Sequence, residues 1–117
     1  MLKFLKFLIL PLLYISVHTH AAAAQNHAQI SLIPETTHIA AGQTIKIGIA
    51  QTLEPGWHSY WLNPGDSGTP LEIEWVLPPG LKAGALAWPT PHKIPFGPLT
   101  NYGYENQVTL LQDLTAP

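Results

Sequence analysis

The 117-residue sequence contains no cysteine and no arginine, and only 10% of its residues are charged. Without cysteine there is no disulfide framework, no thiolate nucleophile and no redox chemistry performed by these residues themselves. Without arginine no side chain can grip phosphate in a bidentate way, and five lysines against seven acids leave a formal net charge of −2, which argues against nucleic acid as a partner. Beyond the N-terminus no stretch is long and apolar enough to cross a membrane, and none shows the 3.6-residue period of an amphipathic helix. What is plentiful is proline and glycine, 12 and 9 residues, which punctuate the chain every few positions and argue against a helical bundle. With 46% hydrophobic residues the chain is no disordered polyelectrolyte, and its length suits one small domain.

Residues 1–24 have the three parts of a secretory signal: Lys3 and Lys6, an apolar stretch from Phe7 to Val17, and the small-residue run Ala21 to Ala24. Pro11 interrupts the apolar stretch, which falls short of the roughly 20 residues a retained membrane anchor needs. The expectation is cleavage after Ala24, export, and a mature domain over residues 25–117. Three lysines against seven acids give that part a net charge of −4. A domain of this size without disulfides buries one thin core and is marginally stable.

Between Thr44 and Leu53 the side chains of Ile45, Ile47, Ile49 and Leu53 recur with a period of two, which predicts a half-buried strand. The same pattern holds for Leu71, Ile73, Trp75 and Leu77 against Glu72, Glu74 and Val76, and more weakly for Ile30 and Leu32. Further strands are predicted over Trp57 to Leu62, Ala83 to Trp88 and Val108 to Leu114, the last after a turn near Glu105 and Asn106. The breaks fall at Glu54–Pro55–Gly56, Asn63–Pro64–Gly65–Asp66 and Pro78–Pro79–Gly80, where proline presets φ and glycine supplies a positive φ. The segment Pro89 to Pro98 reads as an ordered crossover or surface loop, because proline removes ladder donors. Six or seven short strands predict an all-β, immunoglobulin-like β-sandwich, a pattern that periodicity alone does not separate from a jelly roll or barrel. Ala116 and Pro117 follow the last strand-like run directly, without a polar tail, which reads as a sandwich incomplete at the C-terminus, against the alternative that the domain closes there.

The densest group of unusual residues is Trp57, His58, Tyr60, Trp61, Asn63 and Asp66, and a second aromatic patch holds Tyr102 and Tyr104. These residues make either a partner-binding surface or framework. The framework reading puts Trp57 and Trp61 on one strand face in the core, has Asp66 and Ser67 satisfying backbone donors in a turn, and turns Tyr102 and Tyr104 to one face with hydroxyls on backbone. His27, His38, His58 and His92 lie too far apart in sequence for a metal-ligand motif. Ser59, Ser67, His58, His92 and Asp66 have no nucleophile-elbow spacing, and Glu72 and Glu74 sit side by side rather than across a cleft. No catalytic, cofactor-binding or metal residue is assigned.

The order Gly56 to Gly68, then Pro70, Ile73, Trp75, Leu77, Pro78 and Gly80, then Trp88, Pro89 and Pro91, and finally Tyr102, Gly103 and Tyr104 resembles the N-terminal periplasmic domain of DsbD-type thiol:disulfide interchange proteins and their disulfide-bond-corrector and copper-sensitivity-suppressor relatives. The resemblance spans Ile30 to Pro117. It implies an immunoglobulin-like periplasmic domain that takes reducing equivalents from a transmembrane electron-transfer domain and passes them to periplasmic thioredoxin-fold proteins, with protein-disulfide reductase activity and no cofactor of its own. That exchange needs a cysteine pair. The resemblance places such a pair beyond Pro117, so the quoted residues transfer as framework and not as reacting groups. The alternative is a cysteine-free exported binding module that holds a protein, peptide or glycan on Trp57, Tyr60, Trp61, Tyr102 and Tyr104. Copper handling by the histidines is a more distant reading.

Overall fold

The computed structural model describes residues 26–117, so the signal segment expected at 1–24 lies outside the described residues. Seven strands follow in order: β1 (Ala28–Pro34), β2 (Thr44–Leu53), β3 (His58–Gly65), β4 (Lys82–Ala87), β5 (His92–Phe96), β6 (Leu99–Glu105) and β7 (Gln107–Thr115). They form a four-stranded sheet of order β1-β2-β7-β4 and a three-stranded sheet of order β3-β6-β5, each pair antiparallel.

The two sheets meet through side chains that the period of two selects. Ile49 of β2, Tyr104 of β6, and Val108 and Leu110 of β7 form the buried cluster, with Trp61, Leu71, Ile73, Leu86 and Trp88 packed on it. Ile45, Ile47 and Leu53 continue the buried row along β2. Fully burying one such aliphatic side chain contributes roughly 1.5–3 kcal/mol, so a handful of them carries most of the stability available to a thin core. Asn106, with φ at 62°, turns the chain between β6 and β7 where the sequence places a turn, and its carbonyl accepts from the Leu53 amide at 2.7 Å.

Leu71 to Leu77 is not a strand. Its alternation is real, since Leu71, Ile73, Trp75 and Leu77 are half-buried while Glu72, Glu74 and Val76 are exposed, but its backbone pairs with no neighbour. Pro70 at one end and Pro78–Pro79 at the other keep it extended and outside a ladder. The segment packs by side chains alone, and Trp75 Nε1 donates to Gln112 Oε1 at 2.9 Å. Conversely, the predicted loop Pro89 to Pro98 contains a strand, β5. It is an edge strand bonded only to β6, with Pro95 opposite Thr100, and an edge tolerates a missing amide donor.

Candidate functional site

The Gly56 to Gly68 run divides into two physically different halves. Its polar half is framework. From Tyr60 to Gly65 β3 takes five steps while β6 takes two from Gly103 to Asn101, so residues 61–64 bulge out of the ladder. The chain then folds back over β6: Asp66 N donates to Thr100 O at 3.0 Å and Thr100 N donates to Asp66 Oδ2 at 2.8 Å. Ser67 follows by donating from both its amide, at 3.1 Å, and its hydroxyl, at 3.0 Å, to Oδ1 of the buried Asn101. Gly68, at φ +92°, lies on the Tyr60 ring so closely that a Cβ there would come within 2.2 Å of it. Asp66 and Ser67 therefore do satisfy polar groups in a turn, but the groups belong to another strand. Asn63 is exposed on the bulge.

The aromatic half faces outward. Trp57, read from the sequence as core, is 49% exposed and stacks on His27 with ring centroids 3.6 Å apart and planes 8° from parallel. The ring turns outward because it precedes β3, in the turn where its amide donates to Glu54 O at 3.0 Å, and so it does not share the strand's inward alternation. His27 is held there by Glu54, whose Oε2 is 2.8 Å from its Nδ1. His58 meets Tyr60 edge to face at 5.0 Å. Trp61, in contrast, packs against the core as expected.

The two tyrosines of the second patch part company. Tyr104 is buried and its hydroxyl donates to Pro89 O at 2.7 Å, with burial holding its phenol above the ordinary range. Tyr102 is exposed. The bulge in β3 removes the regular neighbour that a fully paired strand would offer. Sequence reasoning missed Phe96, which is 62% exposed and joins Gly56, Trp57, His58 and Tyr60 around an open cleft of about 400 Å³. The only local signal was an aromatic residue just before the Gly97–Pro98 turn.

No group of three or more His, Asp or Glu side chains among the described residues is placed to share a metal ion. No helix among them is long and apolar enough to cross a membrane. What the arrangement offers chemically is an aromatic surface beside a hydrogen-bonded loop.

The two antiparallel sheets make an immunoglobulin-like β-sandwich. The family model described as thiol:disulfide interchange protein DsbD, N-terminal, matches residues 29–117, and the chain belongs to that family. Among solved structures, the N-terminal periplasmic domain of ScsB from Proteus mirabilis is similar to it, with a TM-score of 0.58 and 21% identity over 79% of this chain. The chain spans 35% of that domain's length, and at this identity the likeness shows the fold. No curated protein matches the chain.

Proposed function

We propose that residues 25–117 act in the periplasm, after removal of the leader 1–24, as the partner-binding module of a thiol:disulfide interchange system. The observation that carries this reading is the family match over residues 29–117. The module takes its place between a transmembrane electron-transfer domain and thioredoxin-fold proteins of the periplasm. In the exchange a dithiol becomes a disulfide and the partner's disulfide becomes a dithiol, with two electrons and two protons moving together. Both cysteines of the donor lie outside this cysteine-free chain, whose own residues bind and orient. Trp57 and Phe96, large, rigid and exposed around one cleft, are the contact residues that this role needs.

The test uses the exported chain and a periplasmic thioredoxin-fold protein from the same cell, with its active-site cysteines changed to serine. Expected are an N-terminus at Gln25 in the periplasmic fraction, no disulfide reductase activity, and measurable binding that Trp57→Ala with Phe96→Ala weakens at least about tenfold, as loss of aromatic anchors does. Turnover by the chain itself, or binding indifferent to both substitutions, contradicts the reading. The exposure of Trp57 and Phe96 also favours a second one, a stand-alone exported module for a peptide or glycan. Binding of such ligands through the same cleft, with none to the thioredoxin-fold protein, distinguishes it.

A further inference from the structure

Four strands stand at sheet edges among the described residues, β1 and β4 in one sheet and β3 and β5 in the other. Three of these edges are interrupted. β3 loses register between Tyr60 and Gly65, β4 opens with Lys82 and loses register between Ala83 and Leu86, and β5 carries Lys93 and Pro95. Bulges, lysine and proline are the means by which a sheet edge avoids pairing with another chain. β1 has only Pro34, at its last position. It keeps unbroken register with β2 over all of Ala28–Pro34 and holds no charged side chain.

The backbone of β1 divides by parity. Its ladder to β2 continues one step beyond each end of the strand, where Glu54 N donates to His27 O at 3.0 Å and Glu35 N donates to Lys46 O at 2.9 Å. His27 and Glu35 are therefore hydrogen-bonded positions opposite Glu54 and Lys46, and every second residue between them, Gln29, Ser31 and Ile33, faces β2 in the same way. Ala28, Ile30 and Leu32 turn their amides and carbonyls to the free edge instead, and Pro34 turns a carbonyl there. Ile30 pairs with Gln51 and Leu32 with Ile49, both buried, which puts Ile30 and Leu32 on the inner face of the sheet. Each is nevertheless 54% exposed. One edge thus joins unpaired backbone to uncovered apolar side chains.

We propose that β1 is a dimerisation edge, paired antiparallel with β1 of a second copy about a two-fold axis at Ser31, so that the two four-stranded sheets run on into each other. Ser31 is the midpoint of Ala28–Pro34, and its own amide and carbonyl face β2, which is what a two-fold axis between non-hydrogen-bonded residues requires. Full overlap of the two strands and hydrogen-bond parity therefore agree. Ile30 of each copy lies opposite Leu32 of the other and exchanges both backbone bonds with it. The Ala28 amide donates to the opposite Pro34 carbonyl, so the missing proline donor falls at the rim. Ile30 and Leu32 of both copies meet on the one inner face and cover each other. Just beyond the strand this register sets Glu35 of one copy opposite His27 of the other, and no carboxylate stands directly opposite another. A second copy meets all of these conditions by symmetry. The interface is small, about 1,000 Å² in total, and the expected dissociation constant is about 1–100 µM.

The proposal is independent of the thiol–disulfide reading, and its test has no redox readout. Sedimentation of the exported chain from about 1 µM to about 1 mM is expected to show a monomer–dimer equilibrium and nothing larger, because a two-fold pairing closes and the other edges are interrupted. Hydrogen exchange carries the signature of the edge. The Ile30 and Leu32 amides are expected to slow at least about fivefold between about 10 µM and about 1 mM, whereas those of Gln29, Ser31 and Ile33, bonded to β2, are slow already in the dilute chain. Ile30→Pro removes an outward donor without touching the ladder to β2, and Leu32→Lys sets a charge on the edge. Each is expected to weaken the dimer at least about tenfold and to leave the melting temperature of the dilute chain within about 2 °C, and Leu32→Lys decides alone if the proline unfolds β1. A monomer at every concentration, a dimer indifferent to Leu32→Lys, or association that leaves the Ile30 and Leu32 amides fast overturns the proposal. So does an apolar peptide strand that protects these amides in a chain that stays monomeric, which assigns the edge to another protein.

Discussion

Asp66 and Thr100 hold each other across two elements: the Asp66 amide donates to the Thr100 carbonyl at 3.0 Å while the Asp66 carboxylate accepts from the Thr100 amide at 2.8 Å. This pair pins the loop after the β3 bulge to the central strand of the three-stranded sheet, and it lies in the polar half of the motif that looks most like a binding site in sequence.

Asp66→Ala removes the acceptor of the Thr100 amide and is expected to cost about 1 kcal/mol, the net worth of an exposed hydrogen bond to a charged group. Asp66→Asn keeps an oxygen in place and costs less than half as much. Urea unfolding measures both, with the m-value unchanged. A cost below the error of the experiment removes Asp66 from the framework.

Gly68→Ala meets two obstacles, a positive φ and the Tyr60 ring 2.2 Å from the new Cβ. The expected loss is about 2–4 kcal/mol, of which about 1–2 belongs to backbone strain and persists whatever the neighbour. In a Tyr60→Ala background Gly68→Ala costs only that residue of strain. Additive costs in the double mutant disprove the contact.

Burial raises the Tyr104 phenol above its ordinary value near 10, and Asp113, by hydrogen bond and charge, raises Lys46 above its own near 10.5. A group whose folded pKa is raised contributes stability that is complete below its unfolded pKa and is lost as pH climbs through the folded value. Stability is therefore flat with respect to these two groups up to about pH 10 and falls above it. Tyr104→Phe removes the donor to Pro89 O, costs about 1 kcal/mol at neutral pH, and leaves a shallower alkaline decline. Chemical denaturation at pH 8 and pH 11 measures the slope, and an unaltered slope in Tyr104→Phe rejects the assignment.

Trp75→Phe leaves Gln112 Oε1 without its 2.9 Å donor while Gln112 Nε2 still reaches the Gly84 carbonyl. The expected cost is about 1–3 kcal/mol, as for an acceptor stranded in a part-buried site. A double-mutant cycle with Gln112→Ala reports a coupling of about 1 kcal/mol, and a coupling of zero means that Trp75 acts by packing alone.

The strands that carry the core were legible in the sequence because their signal is local. Ile45, Ile47, Ile49 and Leu53 alternate within one strand, and no distant residue is needed to read them. Alternation in Leu71 to Leu77 correctly told which side chains turn inward, yet whether a ladder forms depends on a neighbour that periodicity does not specify. β5 was hidden for the converse reason. Pro95 is incompatible with a central strand and compatible with an edge, and only the strand order β3-β6-β5 says which it is.

The aromatic residues divide along the same line. Composition determined by itself that these residues cannot exchange thiols, since no fold supplies a cysteine that the sequence lacks. The tertiary structure decided which aromatics are framework and which are surface. Tyr104 goes inward to Pro89, Trp57 goes outward onto His27, and Phe96, 39 residues from Trp57 in sequence, is brought to the same cleft by the β5–β6 hairpin. Alternation ranks faces within a strand, whereas exposure depends on what the other sheet places above that face. That is also why Ile30 and Leu32, on the buried face by register, remain uncovered.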